Sequence, residues 1–117
     1  MTRDEFIRRL VLDQICDDYE NVDQTILGQV SEDGARCGLT IKRTEVIAAL
    51  EKLIALGLVR AYDLSCRPGC SAELDGMPGI MTIEEDFRTY FLATDEGIEL
   101  QLSDDTWWPF NETPPSA

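Results

Sequence analysis

One stretch constrains the fold more than any other. Val46, Ala49, Leu50 and Leu53 recur at three- and four-residue spacing. At 3.6 residues per turn these side chains fall within about 100° of arc, the stripe of a helix that buries one face. Gly57 stands where a left-handed residue closes such a helix. Leu58 to Leu64 then reads as a strand, rich in residues that suit a pleated surface. A helix over about 41–56, beginning near Thr40, therefore passes into a strand over 58–64 through a single glycine.

Two further helices precede it. Thr2 and Glu5 have capping-box spacing, and behind them Phe6, Ile7, Leu10, Val11 and Ile15 form one apolar face, predicting a helix over 3–19. Asp17, Asp18 and Glu20 crowd its C-terminal end, where the helix dipole disfavours negative charge, so fraying is expected there. Asn21 or Asp23 can cap a second helix over 22–33, with Val22, Ile26, Leu27 and Val30 buried and Gly34 at or just beyond its end. Tyr90, Phe91 and Leu92 mark a second strand over 89–94, antiparallel to the first.

The insert 65–88 is long for a connection without structure of its own. Either Ile80 to Ile83 extends the hairpin, or Thr82 and Glu85 cap one helical turn through Phe87. Asp95-Glu96-Gly97 reads as a turn, and Ile98, Leu100 and Leu102 continue in a short segment of undecided type. The 113–117 tail reads as disordered, leaving one domain over 1–112.

Charge is the strongest compositional fact. The net charge is −13, and it is unevenly placed. Residues 1–60 carry eight Lys/Arg against eleven Asp/Glu, whereas residues 61–117 carry two against twelve. A nucleic-acid binder is expected to show a basic footprint, because phosphate neutralisation supplies most non-specific affinity. No apolar run approaches the ~18–20 residues of a membrane span, and no apolar leader opens the chain. The expectation is a cytoplasmic protein with no membrane partner and reduced thiols.

Cys66-Arg67-Pro68-Gly69-Cys70 invites zinc or a redox pair, but a second ligand pair is missing and the chain has no histidine, so the reading is ordinary loop thiols. Without histidine, Ser-His and Cys-His dyads are excluded. Glu84-Glu85-Asp86 and Asp104-Asp105 are adjacent acids of a solvated face. No glycine loop cradles a phosphate. The expectation is no enzyme, no catalytic residue, no metal and no cofactor.

The stretch Leu39 to Val59 resembles the recognition helix and first wing strand of a winged helix-turn-helix protein, and Tyr90-Phe91-Leu92-Ala93-Thr94-Asp95-Glu96-Gly97 is similar to the second wing strand and turn of MarR-like and PadR-like bacterial transcription regulators. With the first two helices the resemblance covers roughly residues 3–102. It implies an α+β fold: a three-helix bundle, a β-hairpin wing carrying a long acidic insert, and a short C-terminal segment. It also implies DNA binding and transcription regulation, with Thr40, Lys42, Arg43, Thr44 and Ala48 entering the major groove. The acidic second half supports an alternative, a winged-helix module that binds protein rather than DNA. Trp107, Trp108 and Phe110 either close the domain's own core or form an interface, which leaves a homodimer open.

Overall fold

The structure, a computed structural model, describes residues 2–63, 72–78 and 88–103. Helix α1 spans Arg3–Gln14, and the Thr2 hydroxyl accepts from the Glu5 amide at 3.2 Å to cap it. It stops short of the expected residue 19. The Ile15 carbonyl accepts instead from the Ala93 amide at 2.8 Å, so the backbone leaves the helix to meet the sheet, and Asp17 and Asp18 lie beyond the break.

Asn21 supplies the next cap. Its side-chain oxygen accepts from the Gln24 amide at 3.1 Å and opens a π-helical turn, Val22–Ile26, that runs into α2, Leu27–Arg36. Helix α2 therefore passes the expected end at 33. Gly34 lies inside it, where a Cβ would meet the Ile41 side chain, and Gly38 at φ 78° is the left-handed residue that follows the helix. Helix α3 spans Arg43–Ala55, and the Glu45 carboxylate reaches back to the Lys42 amide at 3.0 Å. Gly57 at φ 75° closes it. The Leu58 amide donates to Leu53 at 2.9 Å and the Gly57 amide to Ile54 at 3.0 Å, the paired bonds of a Schellman stop.

Strand β1, Val59–Asp63, pairs antiparallel with two neighbours in the order β2-β1-β3. Strand β3, Thr89–Ala93, runs along β1 with Val59 opposite Ala93 and Asp63 opposite Thr89. Strand β2 is only Ala72–Glu73 and occupies the other edge, so the 65–88 insert adds a third strand not anticipated from its sequence. The two alternatives for 80–87 and the expected disorder of 113–117 lie outside the described residues.

A fourth helix, α4, spans Asp95–Ser103, so Asp95-Glu96-Gly97 is a first helical turn rather than a free-standing one. The Thr94 hydroxyl accepts from the Gly97 amide at 3.1 Å and donates to the Gly57 carbonyl at 2.8 Å. It thus caps α4 and pins it to the α3–β1 turn together. Gly97 rests on the same turn, because a Cβ there would fall on the Leu58 carbonyl oxygen.

These elements give an α+β arrangement with the core between helices and sheet. Helix α1 is its centre: Ile7, Leu10, Val11 and Leu12 are buried, and Ile15 follows them. From the other elements come Val22, Ile26, Val30, Val46, Leu50 and Leu53. The sheet contributes Val59, Ala61, Ala93 and a wholly buried Phe91. Glu20 and Phe91 exchange two backbone hydrogen bonds, at 3.0 and 2.9 Å, which join the α1–α2 connection to β3.

The contrast between two glycines tests this packing. Gly97→Ala is expected to destabilise by about 1–3 kcal/mol, the usual cost of forcing atoms into filled space. Gly28→Ala, on an open stretch of α2 with nothing within 4 Å, should stabilise by about 0.5–1 kcal/mol. Urea midpoints of the two variants check this. A Gly97→Ala midpoint at or above the parent's contradicts the seating of α4 on Leu58.

Candidate nucleic-acid interface

The buried stripe of α3 fixes what its opposite face presents. With Val46, Ala49, Leu50 and Leu53 turned inward, Thr44, Ala48, Glu51 and Ala55 are all exposed, and Lys52 lies beside them. This face forms one wall of an open groove of about 460 Å³, whose other wall is Asp4, Ile7 and Arg8 of α1.

The residues expected to contact DNA divide into two groups. Lys42, Thr44 and Ala48 are exposed on or beside the face, as is Thr40 just before it. Arg43 is half-buried and committed elsewhere. Its Nε lies 2.6 Å from one Asp23 oxygen and its terminal nitrogen 3.0 Å from the other, a two-pronged clamp from α3 to the turn before α2. The Thr40 carbonyl is also engaged, accepting from Arg3 at 2.7 Å.

Arg3 and Arg8 belong to this region and were not legible as part of it. Arg3 grips both Glu45 oxygens, at 3.0 and 3.2 Å, across forty-two positions of sequence. That hydrogen bond, together with the Lys42 amide, holds the Glu45 carboxyl below its ordinary range, and Glu45 raises the Arg3 guanidinium in turn. Among the described residues, Arg8, Lys42 and Lys52 make no ion pair. The cations on and beside the groove between α1 and α3 (Arg3, Arg8, Lys42, Arg43, Lys52) are matched in number by Asp4, Glu5, Asp23, Glu45 and Glu51. The region is therefore neutral, and the whole net charge of the chain lies elsewhere.

No protein-family model, curated protein or solved structure matches this chain. What the face can do thus rests on its own residues. An exposed helix flank bordered by three cations that make no ion pair among the described residues can meet a polyanion, and a groove floored by Ile7 and Ala49 can also accept apolar side chains.

Elsewhere the described residues offer little chemistry. The Cys16 thiol donates to the Leu12 carbonyl at 3.3 Å, and burial, with Asp13 and Asp17 nearby, pushes its pKa up to about 11. Such a thiol is a poor nucleophile. No group of three or more metal-ligating side chains occurs among the described residues. Cys66, Cys70, Trp107, Trp108 and Phe110 lie outside them.

Two carboxyls bear on stability, Asp33, which is buried, and Asp13, which is exposed. Partial desolvation raises Asp13, opposed by a hydrogen bond from Gln101, and burial raises Asp33, opposed by Gln29 and Arg36. Each binds its proton more tightly in the folded chain. The resulting stabilisation is fully present below the unfolded value of 3.8 and is lost as pH rises through the higher folded value. The melting temperature should therefore rise as pH falls from 7 toward the carboxylate range, and Asp33→Asn should flatten that rise. Thermal melts across the interval check this; a parent protein that loses stability throughout, or an Asp33→Asn profile parallel to it, contradicts the assignment.

Proposed function

We propose that the chain is a winged-helix protein that binds duplex DNA through the exposed face of α3, as a transcriptional regulator does. The order α1, bridge at Glu20, α2, α3, β1, β3 supports the winged-helix reading, with α2 and α3 as the helix-turn-helix and β1–β3 as the wing. One observation carries the DNA reading: Thr44, Ala48, Glu51 and Ala55 stand clear of the core on a face bordered by Arg8, Lys42 and Lys52, none of them in an ion pair among the described residues. Lys42 then neutralises phosphate, Thr44 and Ala48 face base edges, and Thr40 flanks them. Arg43 serves as a strut through Asp23. The sheet side carries Asp63, Glu73 and Asp75, charges that phosphate repels, so no contact is assigned to it.

A second reading, a module that binds protein, is favoured by the neutrality of the same region. Glu45 and Asp23 already occupy two arginines, and the groove floor is apolar.

Anisotropy of a labelled random-sequence duplex, titrated from about 50 to about 200 mM salt, separates the two. The three cations without an ion pair among the described residues predict a slope of log K against log salt near −3 per protomer. Lys42→Ala should lower its magnitude by about one, and Asp23→Ala, which removes both oxygens that hold the Arg43 fork, should raise it by about one. Absence of binding by the folded protein at the lowest salt removes the DNA reading and leaves the protein-binding one.

A further inference from the structure

We infer that this face, on the reading that it enters a major groove, selects thymine-rich duplex through the C5-methyl groups of thymine rather than through hydrogen-bonded base pairs. Guanine is read in the major groove by a free guanidinium or ammonium, and adenine by a side-chain amide. Helix α3 contains no Asn or Gln, both prongs of the Arg43 fork are taken by Asp23, and of the two lysines Lys42, at the N-cap, is assigned to phosphate while Lys52 lies in the last turn, away from the end that carries Thr44. What the exposed face offers is the methyl of Thr44 and the methyls of Ala48 and Ala55, with Glu51 as the one charged group in line. Thr44 and Ala48 are one helical turn apart, about 6 Å along the axis, a separation close to two base steps. Thr and Ala methyls are the side-chain groups that pack on the thymine methyl. Glu51 is acceptor-only, so it repels the acceptors of guanine, adenine and thymine alike and accepts only from the amino groups of adenine or cytosine; the choice of base pair therefore falls to the methyls. Neutrality sharpens the preference, because a region with little excess positive charge gains little from phosphate alone.

The inference rests on the DNA-binding reading, and competition by defined polymers tests them apart. The labelled duplex is displaced from the intact chain at low salt by poly(dA-dT), poly(dA-dU) or poly(dG-dC). Poly(dA-dU) differs from poly(dA-dT) in the C5-methyl alone. Burying one methyl is worth roughly a fourfold change in affinity, so two contacts predict that poly(dA-dT) competes roughly fifteenfold better than poly(dA-dU). Poly(dG-dC) should compete more weakly than poly(dA-dT). Thr44→Ser keeps the exposed hydroxyl and removes the methyl, and should cut the dT-to-dU ratio about fourfold with the melting temperature unchanged. Equal competition by poly(dA-dT) and poly(dA-dU) from a protein that does bind DNA overturns methyl readout and leaves DNA binding standing. A ratio unchanged in Thr44→Ser overturns the part assigned to Thr44. Failure of every duplex to bind removes the DNA reading and the inference with it.

Discussion

The backbone bonds between the α1–α2 connection and β3 set the frame on which everything else is mounted. Glu20 and Phe91 exchange their amide and carbonyl groups, and Ala93 donates to Ile15. Each such bond contributes only about 1 kcal/mol net, whereas full burial of a side chain like Phe91 is worth roughly 1.5–3 kcal/mol. The division of labour follows from those sizes. Apolar burial supplies the stability, and the three bonds decide where it is spent: α1 must end at Gln14, Asn21 must open the next helix, and Phe91 must point into the core.

The electrostatic layout is built on a second division. Arg3 with Glu45, and Arg43 with Asp23, are partly exposed pairs, each worth no more than about 1 kcal/mol. Their geometric effect is larger than their energy. Both arginines make two-pronged contacts, one tying the start of α1 to α3 and the other tying α3 to the turn before α2. The N-terminal end of α3 is thereby held from two sides while its outer flank stays open. Two of the five cations in this region are engaged in doing so, and five acids offset the five in formal charge.

How far the sequence reveals this depends on the range of the interaction. Helix α3 was legible almost to the residue, because its stripe and the Gly57 stop are local signals, and the exposure of Thr44 and Ala48 follows from the same periodicity. The end of α1 was not, because a hydrogen bond from Ala93 sets it. Helix α4 was misread at its start. Asp95-Glu96-Gly97 resembles a turn in isolation, although Thr94 followed by two acids is also a helix-opening pattern. The use of glycine at 97 became clear only once Leu58 was seen beneath it. Strand β2 has two residues and leaves no period to detect. At the candidate interface, capture of Arg43 by Asp23 and the arrival of Arg3 and Arg8 depend on helix crossings that no linear pattern encodes.

The joint at Thr94, Gly97 and Gly57 makes α3 and α4 a mechanical pair. The first turn of α4 is bonded to the carbonyl at the end of α3 and sits on the next one, with no side chain between to absorb a shift. A load applied to α4 is delivered to the C-terminal end of α3, whereas Lys42 and Thr44 lie at the other end. Thirteen helical residues make a lever about 20 Å long, so a tilt of about 5° at the joint, shared by α1 and by the turn before α2 through the Arg3 and Arg43 clamps, carries the far tip through about 2 Å. That displacement exceeds half a base step, enough to change which bases the tip would address.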